Sequence, residues 1–227
     1  MTPVRHVVYL HGFASSPRSS KARWFERALT DRGVGYGCPD FNLPAFETLT
    51  VTRMLDQVTL AIAAASGGPV ALVGSSLGAF VALHAAAADE TGRVDRLVLL
   101  APAIDFGGNR LRQLGEHGID EWRRSGSLRL FHYGDNEPRE VGFGLYEDAA
   151  KYDAFALPVT MPALVVQGRQ DELVDAAMVE RWASTRPAVD LRLVDDGHQL
   201  TDSMPFIWRQ SERLFGLARA KGPTANA

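Results

Sequence analysis

The chain has 227 residues, 46% of them hydrophobic and 22% charged, which fits one ordinary globular domain with enough apolar mass for a core. A formal net charge of −3 gives no basic footprint of the kind nucleic-acid binders carry, and no stretch approaches the roughly 18 consecutive apolar residues of a membrane span. The lone cysteine, Cys38, cannot form an internal disulfide, and the apolar run inside MTPVRHVVYLHGF is too short for a secretory h-region, so a soluble cytoplasmic protein is expected.

The first apolar run, residues 7–10, is continuous rather than alternating and leads through the loop YLHGFASSP into helical spacing over 21–31. A weaker strand pattern at 34–37 precedes a long helical one at 48–65. Cys38 lies between them with a proline after it, and no pattern around it argues for a lowered thiol pKa, so it reads as a small buried hydrophobe. Residues 70–73 form the next apolar run and pass with almost no loop into an alanine-rich helical stretch, 77–88, before a further strand at 97–100. The alternation resumes with a strand at 163–166, a helix at 176–184, a strand at 191–194 and a helix at 201–218. Strands that are apolar on both faces belong to a parallel sheet covered by helices on both sides, so an α/β fold is expected.

Residues 104–160 break the pattern. They are richer in Gly, Arg and aromatic residues, and within them LRLFHYG has strand character and LYEDAAKYDAF helix character. We read the segment as a structured, lid-like insertion over one end of the sheet, within a single domain spanning 1–219; the last residues, 220–227, have a disordered tail's composition. The aromatic residues Trp122, Phe131, Tyr133, Phe143 and Tyr146 suit equally a lid over an acyl pocket and a small core of the insertion itself.

At the junction of the 70–73 strand and the helix after it stands Gly74-Ser75-Ser76-Leu77-Gly78, which matches G-x-S-x-G in the strand–turn–helix context that the motif demands. Such a turn exposes the central serine hydroxyl and aims the N–H groups of the following helix at the same spot, so Ser76 is the candidate nucleophile. Ser75, its nearest competitor, occupies the free x position.

A serine hydroxyl needs a general base and an acid that orients the base, and on this turn they follow the serine in the order acid, histidine. His198, in a loop between the last predicted strand and helix, is the candidate base; His84 lies two turns along the helix from Ser76, and His117 and His132 belong to the insertion. Asp171, in QGRQDELV just past the 163–166 strand, is the candidate acid, with Asp105 the runner-up; Asp175 better suits capping of the next helix. Asp195 and Asp196 lie too near His198 in sequence to orient its ring and read as solvated or turn-forming. Two N–H donors should hold an oxyanion, and we assign them to Leu77 and to Phe13, which follows Gly12; His11 precedes the serine in the chain and is assigned to shaping that loop.

These residues resemble the α/β-hydrolase superfamily, and within it a family of small bacterial esterases bearing YLHGFASSPRSSKA near the N-terminus. The likeness runs on through GSSLGAF, LLAPA, FHYGDNEPR, YEDAAKYD, GRQDELV and DDGHQL and so covers nearly the whole chain. It implies a mostly parallel sheet of about six or seven strands with helices on both faces, an insertion after the sixth superfamily strand, and a serine hydrolase of short or medium acyl esters with Ser76, Asp171 and His198 as its triad. Its partner is then a small-molecule acyl ester, and the chemistry needs no metal or organic cofactor. The same triad serves thioesters and carbon–carbon bonds, and a binding protein that kept the fold is the reading from another class. Arg18, Lys21 and Arg23, in SSPRSSKAR, either hold an acidic group of the substrate or stand solvated beside a helix capped by Ser19 or Ser20.

Overall fold

The structure, a computed structural model, describes residues 2–106 and 115–217. In chain order its elements are β1 (His6–Leu10), α1 (Ser20–Thr30), β2 (Gly35–Gly37), a 3-10 turn (Phe46–Thr48), α2 (Val51–Ala64), β3 (Val70–Ser75), α3 (Leu77–Ala87) and β4 (Val94–Leu100). They continue with α4 (Gly115–Ser125), β5 (Ser127–His132), β6 (Glu137–Gly142), α5 (Gly144–Ala149), β7 (Ala163–Gly168), α6 (Ala176–Ser184), β8 (Val189–Val194) and α7 (Met204–Leu214). Six strands form one sheet in the order β2-β1-β3-β4-β7-β8, every neighbouring pair parallel, with helices on both faces as expected.

The strand period of two splits the core into two layers. Val8, Leu10, Leu72, Leu97, Leu99 and Val165 face one side and pack under α2, α3 and α6. Val7, Tyr9, Val73, Val98 and Val166 face the other and are covered by α1 and α7 through Phe25, Leu29, Ile207 and Trp208. Helix α2 presents Val51, Met54, Val58 and Ile62, an i, i+3/i+4 stripe that faces the core. Helix α3 is buried all round over residues 77–86, which accounts for its alanine-rich, almost uncharged sequence. Among the described residues no helix is long and apolar enough to cross a membrane.

Several boundaries differ from expectation. The helix expected at 48–65 starts only at Val51, because Thr50 accepts a hydrogen bond from Arg53 N–H and so caps the helix there. The helix expected at 201–218 ends at Leu214, before Gly216, which sits at φ 67; residue 218 lies outside the described residues, as does the tail expected at 220–227. The strand expected at 97–100 begins at Val94.

In the segment 104–160, of which 107–114 lie outside the described residues, β5 pairs with β6 as an antiparallel hairpin, Ser127 opposite Gly142 and His132 opposite Glu137. The helix expected at 145–155 is the short α5. Trp122, Phe143 and Tyr146 make the small core foreseen for the insertion: Trp122 and Phe143 meet edge to face at 5.5 Å, and Phe143 stacks on Tyr146 at 5.3 Å. Phe131 and Tyr133 are instead exposed and line a cavity.

Asp148 of α5 docks the insertion onto α2. Its carboxylate accepts from Thr52 N–H at 2.7 Å and from the Thr52 hydroxyl at 2.7 Å, satisfying an orphan donor of the first turn of α2 from another element. Burial disfavours the charged form, but the Thr52 bonds and Lys151 outweigh it and hold the Asp148 carboxyl below the usual carboxylate range. A depressed folded-state pKa contributes stability that is present at neutral pH and lost as pH falls through the carboxylate range. Asp148→Ala should therefore cost about 1–3 kcal/mol in urea unfolding at pH 7, and the gap to wild type should narrow on acidification to about pH 3.

Candidate active site

At the carboxyl end of β3 the chain has no loop. Ser75 ends the strand, Leu77 opens α3, and Ser76 between them adopts φ 55, ψ −116, a left-handed conformation that non-glycine residues rarely hold. Its backbone is pinned on both sides: the N–H donates to Leu100 O at 2.8 Å, and the carbonyl accepts from Ala79 N–H at 3.0 Å. The flanking glycines are required by close approach. A Cβ on Gly78 would sit within the Leu10 and His11 carbonyls of the neighbouring strand end, and a Cβ on Gly74 within the backbone of Gly78 and Ala79. Ser75 is buried, whereas Ser76 is half-buried and lines the cavity.

Asp171 and His198 meet across the ends of β7 and β8. The ring Nδ1 of His198 lies 2.9 Å from one Asp171 carboxylate oxygen and 3.1 Å from the other. Asp171 also accepts from the N–H groups of Leu173 and Val174, at 2.9 and 2.8 Å, and from Gln167 Nε2 at 2.9 Å. Burial opposes ionisation there, but the bonds from His198, Val174 and Gln167 hold the carboxyl below the usual carboxylate range. Asp171 is thus a fixed anion against the Nδ1 edge of His198, whose side chain lines the same cavity as Ser76. The Ser76 hydroxyl makes no hydrogen bond to the ring here; such contacts often tighten only with substrate bound. The two loops are tied by Gln170 N–H to Asp196 O at 3.1 Å, and Gly168 lies where a Cβ would enter the Asp196 and Gly197 carbonyls.

The other acids take the places foreseen for them. Asp175 caps α6 through Ala177 N–H, Asp196 accepts from Gly197 and Ser203 N–H, and exposed Asp195 pairs with Arg169. His84 packs between Phe80 and Tyr152, and burial pushes its pKa down to about 4. His117 is exposed on α4. Burial pushes the Cys38 thiol up to about 12, which makes it inert.

On the other side of Ser76 lies the loop after β1. A Cβ on Gly12 would stand 3.2 Å from Ser75 O and 3.4 Å from Ser76 Cβ, so the loop touches the turn backbone to backbone. Neither Phe13 N–H nor Leu77 N–H donates to a backbone carbonyl among the described residues. Two neutral histidines brace this loop. Phe41 N–H donates to His11 Nε2 at 3.0 Å, so the ring proton is on Nδ1 and goes to Gly12 O at 2.9 Å. Asp135 N–H donates to His132 Nδ1 at 3.1 Å, so Nε2–H goes to Asn42 Oδ1 at 3.0 Å, and the Asn42 amide donates to Ser15 O at 2.8 Å. Burial lowers the His132 pKa against the pull of Asp135, consistent with the neutral ring. A Gly134 N–H bond to Ala14 O completes the attachment of the hairpin to the loop.

The cavity between these parts has a volume of about 850 Å³. Ser19 caps α1 by accepting from Ala22 N–H. Lys21, on the cavity wall, donates to Gln199 O at 2.9 Å, and burial brings its pKa down to about 8 despite Asp171 and Asp196 nearby.

Sequence reasoning missed Gln167, Asn42 and the bracing role of His132. Gln167 hides in the apolar run ALVVQG, where a lone polar residue aimed at the next loop was the available signal. Asn42 and His132 carry no local signal, since their meaning depends on a contact between positions 90 apart.

A family model described as an uncharacterised protein family, UPF0227, matches residues 6–213. The Bos taurus protein named palmitoyl-protein thioesterase ABHD10, mitochondrial, is 26% identical over 205 residues, covering 84% of this chain and 66% of that protein's length. A solved structure from Agrobacterium vitis S4 superposes with a TM-score of 0.82 at 24% identity, covering 92% of this chain and 87% of the other. Alpha/beta hydrolase domain-containing protein 10 from mouse gives a TM-score of 0.77 at 22% identity over 96% and 93% of the two chains. The architecture is that of the α/β hydrolases.

The tight turn is open to a direct test. Gly78→Ala should lower stability by about 2–3 kcal/mol in urea unfolding, because backbone rather than a movable side chain stands in the way. Gly144→Ala, where nothing lies within 4 Å, should change it by less than about 1 kcal/mol.

Proposed function

Because the chain belongs to the uncharacterised protein family UPF0227 and folds as an α/β hydrolase, we propose that it is a serine hydrolase that cleaves carboxylic esters of short or medium acyl chains through a covalent acyl-enzyme. The observation that carries this reading is the buried Asp171–His198 pair at the cavity into which Ser76 is turned by its strained backbone. Carboxylate–imidazole hydrogen bonds also serve purely structural roles, but a paired imidazole, a serine at positive φ and two uncommitted N–H groups beside that serine are what acyl transfer needs.

In this mechanism His198 Nε2 takes the Ser76 proton as Oγ bonds to the ester carbonyl carbon, and the carbonyl π electrons move onto oxygen. Asp171 stabilises the imidazolium without taking its proton. The N–H groups of Phe13 and Leu77 hold the oxyanion, each worth about 3 kcal/mol of transition-state stabilisation. When the carbon–oxygen bond to the leaving group breaks, His198 returns the proton to the departing oxygen. Water then adds by the same route, releasing the acid and restoring Ser76. Gln167 is a positioning residue: its amide bridges Asp171 and the carbonyls of Gly168 and Val174, and it does not line the cavity. We place this activity in the cytoplasm, where a chain with one half-buried, unpaired cysteine fits the reducing conditions.

Thioesters are the second reading, favoured by the name of the bovine relative, a palmitoyl-protein thioesterase. The breaking bond is then carbon–sulfur, and His198 protonates a thiolate.

A fluorophosphonate probe should label the wild-type protein and not Ser76→Ala, which should also lose at least about a thousandfold in kcat/KM on p-nitrophenyl acyl esters. Resistance of wild type to the probe, with no turnover of any ester or thioester in a chain-length series, defeats the proposal. Gln167→Leu should lower kcat by about tenfold with little change in KM, since a loosened Asp171 misorients the base without touching substrate.

A further inference from the structure

Taking the hydrolase reading as its basis, we infer that Arg18, Lys21 and Arg23 select substrates whose leaving group carries an anionic oxygen group, a carboxylate or a phosphate. Three cationic side chains line one wall of the cavity that holds Ser76 and His198, and among the described residues no carboxylate lines it. Such an imbalance attracts an anion and raises its local concentration at the site.

Internal partners answer only part of this charge. Arg18 lies 3.9 Å from one carboxylate oxygen of Asp135, whose other oxygen is held by Arg139 at 2.7 Å. Arg23 is exposed and forms no ion pair among the described residues. Lys21 is fixed by its bonds to the backbone and side-chain oxygens of Gln199, at 2.9 and 3.3 Å, and feels the Asp171 and Asp196 charges without forming an ion pair to either.

The same contact says which half of the substrate the cations meet. His198 must deliver its proton to the leaving atom, so the leaving group lies on the histidine's side of the scissile bond. Lys21 is bonded to the very next residue, Gln199, and brings the cationic wall to that side. The hairpin adds apolar lining from Leu130, Phe131 and Tyr133, with the Phe131 and Tyr133 rings 5.2 Å apart, edge to face, and Arg18 stands where the two linings meet, 3.9 Å from Asp135 of the hairpin turn. An acyl chain against the hairpin and an anionic leaving group against α1 satisfy both walls.

The test compares butyrate esters of 4-hydroxy-3-nitrobenzoate, which has a charged leaving group, with those of its methyl ester, which is neutral. The readout is the ratio of their kcat/KM values, a quantity internal to one enzyme preparation and so insensitive to the fraction folded. Arg18→Gln/Arg23→Gln should lower this ratio about tenfold, and raising salt from about 0.05 to about 0.5 M should lower the wild-type ratio in the same direction, because exposed charges are screened. Arg209→Gln, which removes one exposed charge from α7 outside the cavity, should leave the ratio at its wild-type value. A third ester carries its carboxylate at the far end of the acyl group, as a hemisuccinate, with a neutral leaving group. A ratio unmoved by the double substitution overturns the inference, and so does a loss that falls equally on the hemisuccinate. Probe labelling of Ser76 with turnover of the neutral ester separates that failure from failure of the hydrolase reading, in which neither occurs.

Discussion

The site depends on one backbone-to-backbone contact. The start of α3 is pressed against the end of β1 so closely that Gly78 stands on the Leu10 carbonyl with no room for a methyl group. That contact removes the space a loop would need between β3 and α3, and the chain makes the turn only by forcing Ser76 to positive φ. It also brings the loop after β1 alongside the serine, with Gly12 touching Ser76, so candidate nucleophile and candidate oxyanion donors are positioned by the same packing. Among the described residues, four of the five non-glycine residues at positive φ, Ala14, Ser76, Ala101 and Leu200, lie in the connections that follow the carboxyl ends of sheet strands. Each such conformation costs of the order of 1–3 kcal/mol and persists only where surrounding structure over-determines it.

Polar groups supply that over-determination. Asp171 is held by four donors, so the acid cannot turn away from His198. The loop on the opposite side is fixed by His11 and by the His132–Asn42–Ser15 chain, in which each histidine tautomer is set by an N–H donated to the other ring nitrogen. Because His132 comes from β5, the hairpin braces the loop after β1 as well as lining the cavity. The insertion is therefore tied down at two ends, at the site by His132 and at α2 by Asp148.

The sheet was legible because each buried strand is a continuous apolar run and each covering helix carries a stripe of its own. Ser76, Asp171 and His198 were legible because strand-end loops announce themselves by glycine and by position relative to the strands. Boundaries were less so: a Thr50 cap and a Gly216 stop compete with a hydrophobic pattern that runs past both. Strand β6, EPREVG, was invisible for a different reason. It has a proline and three charged residues among six, because it is a hairpin strand with one largely solvated face, and only its partner β5 makes it a strand. Gln167, Asn42 and His132 act through partners that only the folded chain supplies.

The division of labour within residues 11–23 follows from these constraints. The carbonyls of Gly12, Ala14 and Ser15 are committed to bracing bonds while the Phe13 N–H stays free among the described residues; charge enters where the chain leaves the turn and begins α1. There Arg18, Lys21 and Arg23 project from a helix start that Ser19 already caps, so the cations are not needed to finish the helix. Positive charge at a helix N-terminus is also the sign that the helix dipole disfavours, by a few tenths of a kcal/mol per charge at exposed positions. A charge placed against the local electrostatic preference, on the wall of a cavity beside the base, is better explained by what enters the cavity than by the stability of the helix that carries it.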